Sequence, residues 1–326
     1  MASSLKTYSH LAAARRQPTE YELVTTALHH HVERGFAVRT PVSEWYERHQ
    51  RGSRWPAADW ARFADPRETT YTKYTRLQHA REQFVDGLLG SIDASSYDAD
   101  LAPETRALLG RALGPLRFVG HGFQMIAAYV GQMAPEGRVT IAAALQAADE
   151  VRRVHRLAYR LAQLRRVEPG FGADGRARFE TDPAWQPLRQ LVESLLVTYD
   201  WAEAFVALNV CVKPLVDELF MVELPAVARA RGDFLLGQIL ASLDEDCQWH
   251  RRWTVALARV ALEASDGNRA ACGEWIEAWT PEAARAVAAL APTLTAADAA
   301  PDVAAALGRV ADFQRALLCA PRAGQP

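Results

Sequence analysis

Lysine is almost missing from this chain of 326 residues: it occurs only as Lys6, Lys73 and Lys213, within a Lys+Arg total of 37. The basic charge is therefore arginine, and together with the abundant alanine it reads as the bias of a GC-rich genome. Asp+Glu total 39, so the formal net charge is −2. Such a balance does not point to nucleic acid or to an anionic membrane as a partner. Cysteine is scarce and scattered. Cys211, Cys247, Cys272 and Cys319 form no C-x-x-C pair, which points to free, mostly buried thiols in a reducing compartment. The opening MASSLKTYSH lacks the apolar core of a signal peptide, and a cytoplasmic location is expected. The nearest approach to a membrane span, residues 118–135, is free of formal charge but holds His121, Gln124, Gln132 and three glycines. That composition suits a helix buried in a bundle better than one facing lipid. G-x-S-x-G, a P-loop, G-x-G-x-x-G after a strand and H-E-x-x-H are all absent, as are strand-like alternation, solenoid repeats and low-complexity tracts.

What is present is helical periodicity, almost unbroken from residue 67 onward. It fits helices over 67–89, 103–113, 116–133, 141–167, 183–198, 201–222, 233–263, 268–279, 281–291 and 301–318. Thr181 or Asp182 before Pro183, and Thr280 before Pro281, look like helix starts with proline in the first turn. Pro214 falls inside a helix and predicts a kink or a bulge. The fold class is all-α.

The first 65 residues differ. They combine Pro18, Pro41 and Pro56 with the Arg15–Arg16 pair, a His29–His31 run and six tyrosines and tryptophans, including Tyr8, Tyr21, Trp45 and Trp55. Such a segment is too apolar for disorder and too irregular for a bundle helix. It reads as an extended arm, residues 1–65, on a bundle of residues 66–326. Either it wraps its own bundle or it reaches across a partner, with Tyr8, His10, Arg15, Arg16, Tyr21, Trp45 and Trp55 as contacts.

Two of the long helices carry acids close to a histidine: Asp149, Glu150 and His155 in one, Asp244, Glu245, Asp246 and His250 in the other. Di-iron carboxylate bundles place a Glu-x-x-His pair on each of two helices, because residues three apart share a face. Here the third residue onward is Arg152 or Arg153 in one helix, and Cys247, Gln248 or Trp249 in the other. The metal spacing fails. Ile239, Leu243, Asp246, His250, Trp253 and Leu257 form one inward stripe, with Asp246 and His250 as a hydrogen-bonded pair. Ile141, Leu145, Ala148, Arg152, His155 and Tyr159 line up comparably. Asp149 with Arg152 or Arg153 is a ready ion pair, in which a fixed guanidinium stands where iron would stand and balances inward carboxylates such as Asp149 and Glu203. The arginine-rich face Arg152, Arg153, Arg156, Arg160, Arg165 and Arg166 is nonetheless expected to be solvated or subunit-contacting rather than a ligand site. No residue of the chain is assigned as catalytic, cofactor-binding or metal-binding.

The stretches LKTYSHLAAARRQPTEYELVTTALHHH, ETDPAWQPLRQLVESLLVTYDWAEAFVALNVCVKPLVDEL and HRRWTVALARVALEASDGNRAACGEWIEAWTP resemble the beta subunit of the hydroxylase of bacterial multicomponent monooxygenases, of the toluene, aromatic or alkene type. The resemblance runs from Leu5 to about Trp279. It implies a ferritin-like helical bundle, akin to the ribonucleotide reductase small subunit, and a non-catalytic role. In that family an alpha subunit holds the di-iron centre, and alpha, beta and gamma form an (alpha-beta-gamma)2 hexamer. NADH, an FAD and iron–sulfur reductase, a Rieske ferredoxin and a small effector protein complete the system. The residues alone leave two other readings open, a self-sufficient ferritin-like metal oxidase and a helical scaffold unrelated to oxygenases.

Overall fold

A computed structural model describes residues 16–26, 40–56, 59–93, 95–296 and 298–319. In chain order the helices are α1 (Glu20–Thr25), α2 (Pro41–Tyr46), α3 (Tyr71–Asp93), α4 (Tyr97–Asp100), α5 (Pro103–Met133), α6 (Gly137–Val167), α7 (Gly175–Thr181) and α8 (Gln186–Leu196). After these come α9 (Trp201–Val206), α10 (Lys213–Asp217), α11 (Leu224–Ala230), α12 (Phe234–Ala264), α13 (Asp266–Leu290) and α14 (Val303–Leu318). Among the described residues the sole β pairing is an isolated Ala296–Ala299 bridge. The all-α, ferritin-like reading holds. No described helix is long and apolar enough to cross a membrane.

Three helices of 31 residues, α5, α6 and α12, form the frame, and α3 lies along α6 and α12. Their inward faces meet in one core. Phe63, Trp201, Phe205 and Trp253 are fully buried there, and Trp55 joins them with its ring 6.2 Å from that of Trp201. Trp55 Nε1 also donates to Asn268 O at 3.0 Å. Aromatic rings at such separations pack edge to face and add to the area they bury.

Two prolines did not break their helices as the pattern predicted. Pro115 lies inside α5 and Pro281 inside α13. At Pro115 the preceding Gly114 makes room: a Cβ there would sit 3.1 Å from Gly175 Cα, so two backbones touch where α5 meets the start of α7. Burial against a neighbouring backbone outweighs the lost intrahelical bond. Asp182 caps the turn before α8 by accepting from Ala184 N at 3.0 Å, and the helix itself begins later, at Gln186. Pro214 does produce bulges. π-helical turns at Ala207–Val212 and Glu218–Glu223 flank α10. Each wide turn shifts the phase of the helix and changes which side chains face inward.

Candidate functional site: a charged lattice at the bundle centre

The phase of α6 differs from the sequence expectation by about one residue. Ala148, His155 and Tyr159 are exposed, whereas Gln146, Asp149, Glu150, Arg152, Arg153, Arg156 and Arg160 are buried. The outer face is as apolar as the inner one, and the inner one carries the charge. The arginines expected on a solvated face therefore point into the bundle; of that set only Arg165 and Arg166 are exposed.

Their partners come mostly from α3. Arg152 Nε donates to Glu82 Oε1 at 2.6 Å, and Arg156 donates to both Glu82 and Asp86. Arg160, fully buried, holds Asp98 of α4 through two bonds of 2.8 and 2.6 Å. Arg152 Nη1 also reaches Asp246 Oδ2 of α12 at 2.8 Å, and Arg81 of α3 binds the other oxygen of Asp246. Gln78 bridges Asp149 at 2.7 Å and Asp246 at 2.9 Å. Burial makes each of these pairs dependent on its partner, because an orphaned charge in the interior is costly.

Three expectations are corrected. Asp149 pairs with neither Arg152 nor Arg153; it accepts from Tyr74 OH at 2.7 Å and meets His250 Nε2 at 3.0 Å. His250 is thus the partner of Asp149, across helices, rather than of Asp246 on its own helix. Glu203 stands apart from the lattice, half-buried on α9, where it accepts from Trp279 Nε1 at 3.1 Å. Burial and the nearby Asp246 hold the Asp149 carboxyl well above the usual range, while burial and the cations Lys213 and Arg153 hold His250 well below its own. Both directions favour one proton shared by the pair over separated charges.

The second half of the lattice joins Glu150 and Arg153, both singled out from the sequence, to Lys213 and Asp217, which the sequence reading passed over. Arg153 Nη1 lies 3.3 Å from Glu150 Oε2 and 3.1 Å from Asp217 Oδ1, and its Nη2 lies 2.7 Å from Cys247 Sγ. Lys213 Nζ lies 2.5 Å from Asp217 Oδ2 and 3.3 Å from Glu150 Oε1. Burial would raise the Asp217 carboxyl, yet Lys213, Arg153 and Arg251 outweigh it and keep it below the ordinary range. Burial and Arg153 would lower Lys213, but the carboxylates of Asp217 and Glu150 oppose both and it is held raised. Burial pushes the Cys247 thiol up, so its sulfur stays protonated. Two carboxylates thus face two fixed cations. A signal for this half was available: Lys213 and Asp217, four apart, interrupt an otherwise apolar stretch and share a helix face.

Here the spacing of a di-iron bundle can be tested on side-chain positions. Glu150 with Arg153, and Cys247 with His250, stand three apart on facing helices, where the metal pattern needs a carboxylate and an imidazole on each. The donor set does not fit iron. A guanidinium and an ammonium lie within 3.3 Å of the carboxylates that would be ligands, and neither group has a lone pair to offer while it stays protonated. Among the described residues no cluster of three or more His, Cys, Asp or Glu can hold a metal ion. What the arrangement does chemically is tie α3, α4, α6, α10 and α12 together. The surface groove of about 400 Å³ beside Arg252 and Phe313 meets this network only at Arg251, and that of about 420 Å³ beside Arg106 and Phe171 contains none of it.

Of the residues expected at a subunit contact, Tyr8, His10 and Arg15 lie outside the described residues. Tyr21 and Trp55 are instead buried within the chain itself. Tyr21 OH accepts from Asp65 N at 3.0 Å, and Trp55 is in the core. Arg16 is exposed and paired with Glu22, and Trp45 is 38% exposed, packed on His49 and Tyr199.

Comparison with known proteins agrees with this fold. The family model described as Methane/Phenol/Alkene Hydroxylase matches residues 43–265. The chain is 35% identical, over 87% of its length and 89% of the relative's, to the hydroxylase component subunit beta of the toluene-4-monooxygenase system of Ectopseudomonas mendocina. It is 26% identical, over 97% and 89%, to the hydroxylase component small subunit of propane 2-monooxygenase of Rhodococcus jostii (strain RHA1). A solved structure of toluene 4-monooxygenase, with toluene bound in its resting active site, contains a chain that superposes with a TM-score of 0.85 at 33% identity, covering 91% of this chain and 99% of that one. Phenol hydroxylase from Pseudomonas sp. OX1 shares the fold, with a TM-score of 0.83 at 22% identity and coverages of 95% and 93%. This chain belongs to the Methane/Phenol/Alkene Hydroxylase family.

Proposed function

We propose that the chain is the beta subunit of the hydroxylase of a multicomponent di-iron monooxygenase that oxidises aromatic hydrocarbons or alkenes, and that it acts as a brace and not as a catalyst. The observation that carries the reading is the bundle centre, where Arg153 and Lys213 neutralise Glu150 and Asp217 in the region where a catalytic relative would need ligands. A rigid bundle of this kind supports an alpha subunit by burying its helices, which holds two irons at a fixed separation. On this reading alpha carries the metal and activates O2. Gamma completes an (alpha-beta-gamma)2 assembly, and electrons from NADH arrive through a flavin and iron–sulfur reductase and a Rieske ferredoxin. A small effector protein completes the cytoplasmic system. Near the N-terminus, exposed positions such as Arg16 and Trp45 are offered to the partner.

The test is co-expression with the neighbouring genes, followed by purification through this chain. The expected result is co-purification with a larger iron-containing subunit, NADH-dependent hydrocarbon oxidation by the reconstituted system, and neither iron nor oxidation in the isolated chain. Oxidation by the chain alone, or a chain that associates with no such subunit, would overturn the proposal.

A further inference from the structure

Exposed arginines on several helices hold an acid of their own helix: Arg176 with Glu180 on α7, Arg285 with Glu282 on α13, Arg315 with Asp312 on α14. Two on α12 do not. Among the described residues, the exposed Arg252 and Arg259 meet no carboxylate. The residues three and four positions from Arg252 are Gln248, Trp249, Val255 and Ala256, none of them acidic. Glu263, four residues after Arg259, is held by Arg62 at 2.8 Å. The neighbouring Arg251 differs, because Glu218 lies 2.7 Å away and neutralises it. The two open guanidiniums border a groove of about 400 Å³, floored by the half-buried Val255 and Ala256 and by Phe313 of α14.

We propose that this groove binds an acidic amphipathic helix of another protein, with one carboxylate for each arginine and apolar side chains between them. The proposal goes beyond the bracing role and does not depend on it. Spacing selects the occupant. Arg252 and Arg259 stand two helical turns apart, roughly 10 Å along the axis, so a small anion that reaches one leaves the other open. Val255 and Ala256 fall three and four residues after Arg252, which puts cation, apolar pair and cation on a single helical stripe. A second helix has the same period. It matches the stripe when its glutamates stand two turns apart and its leucines lie midway, the groove-docking mode of amphipathic helices. Each guanidinium can then hold a carboxylate through two bonds, and the leucines take Val255 and Phe313 out of water.

The experiment titrates the full chain, wild type or Arg252→Glu/Arg259→Glu, into a dye-labelled synthetic peptide helix of that pattern and follows fluorescence anisotropy. The expected result is saturable binding by wild type that weakens as salt is added, with at least a tenfold loss in the double variant. The same peptide with serines in place of its leucines should bind wild type at least tenfold more weakly. A peptide with lysines in place of the glutamates should bind the double variant at least tenfold better than it binds wild type. Both arginines already meet water, so the double variant should keep the thermal midpoint of wild type. Absence of binding, equal affinity of the two chains, or no gain with the lysine peptide overturns the proposal. So does displacement of the peptide by an equal concentration of hexanoate, which would assign the groove to small carboxylates. Self-association of wild type that Arg252→Glu/Arg259→Glu abolishes would assign it to a second copy and overturn the proposal too. None of these outcomes touches the beta-subunit reading, which stands or falls on co-purification.

Discussion

Lys213 Nζ and Glu150 Oε1 lie 3.3 Å apart at the centre of the bundle, with side chains 2% and 0% exposed. Neither charge has solvent to fall back on. Lys213→Met or Arg153→Leu leaves a buried carboxylate short of a cation and is expected to cost about 3–5 kcal/mol. The double variant Lys213→Met/Glu150→Leu removes a charge of each sign and should cost less than the sum of its single changes. Urea unfolding followed by circular dichroism reads all of these, and wild-type midpoints in both single variants would contradict the lattice.

Burial rather than pairing sets the scale. Arg160 and Asp98 are bound twice, with the arginine fully buried, so Arg160→Leu is expected to lower stability by roughly 3 kcal/mol or more. Arg51 and Glu47 are paired at 2.7 Å, but both side chains are more than half exposed. Arg51→Ala should change stability by less than about 0.5 kcal/mol. Equal effects in the two variants would refute the distinction.

The Asp149–His250 pair predicts an unusual pH profile. Asp149 is raised in the fold, so its contribution is complete below about pH 4 and is lost as pH climbs through the folded value. His250 is lowered, so its contribution is complete above about pH 6.5 and is lost as pH falls. Between about 4 and 6.5 the two slopes oppose each other, because folded and unfolded states each hold one proton on the pair. In His250→Gln the Asp149 slope stands alone, and stability should decline as pH rises from about 4 by up to about 1.4 kcal/mol per unit. Chemical unfolding across that range compares the two profiles; parallel curves would sink the idea of a shared proton.

The two tryptophans near the N-terminus should behave oppositely. Trp55 is 1% exposed and bonded to Asn268, so Trp55→Ala is expected to destabilise the isolated chain by about 3–5 kcal/mol. Trp45, 38% exposed, should leave the isolated chain within about 1 kcal/mol of wild type when changed to Ala. Its effect is expected in the assembled hydroxylase, as lower recovery of the complex.

Much of this was legible from composition and spacing. The all-α class, the failed Glu-x-x-His spacing, the bulged helix around Pro214 and the inward stripe from Ile239 to Leu257 follow from local pattern. What could not be read was pairing across helices. Asp149 and Asp246 draw partners from Tyr74, Gln78 and Arg81 on α3, some 70 to 170 residues away, and nothing local to α6 or α12 names them. The phase of α6 was misread because Ala148, Val151 and Tyr159 look like core residues, while the arginines that do enter the core look like surface. Propensity reads hydrophobicity; it does not see that acids on α3 make an inward arginine favourable. Pro115 and Pro281 were misread for a related reason, since tertiary packing carried the helix through each of them.

The outer stripe of α6, where Ala148, His155 and Tyr159 meet solvent, also bears on how such a protein has to be made. An uncharged stripe left open to water invites self-association whenever the chain is in excess over whatever covers it. Matched synthesis of this subunit and its counterpart, from one transcript or at a fixed ratio, would keep it soluble, and overproduction of the chain by itself should show up first as aggregate.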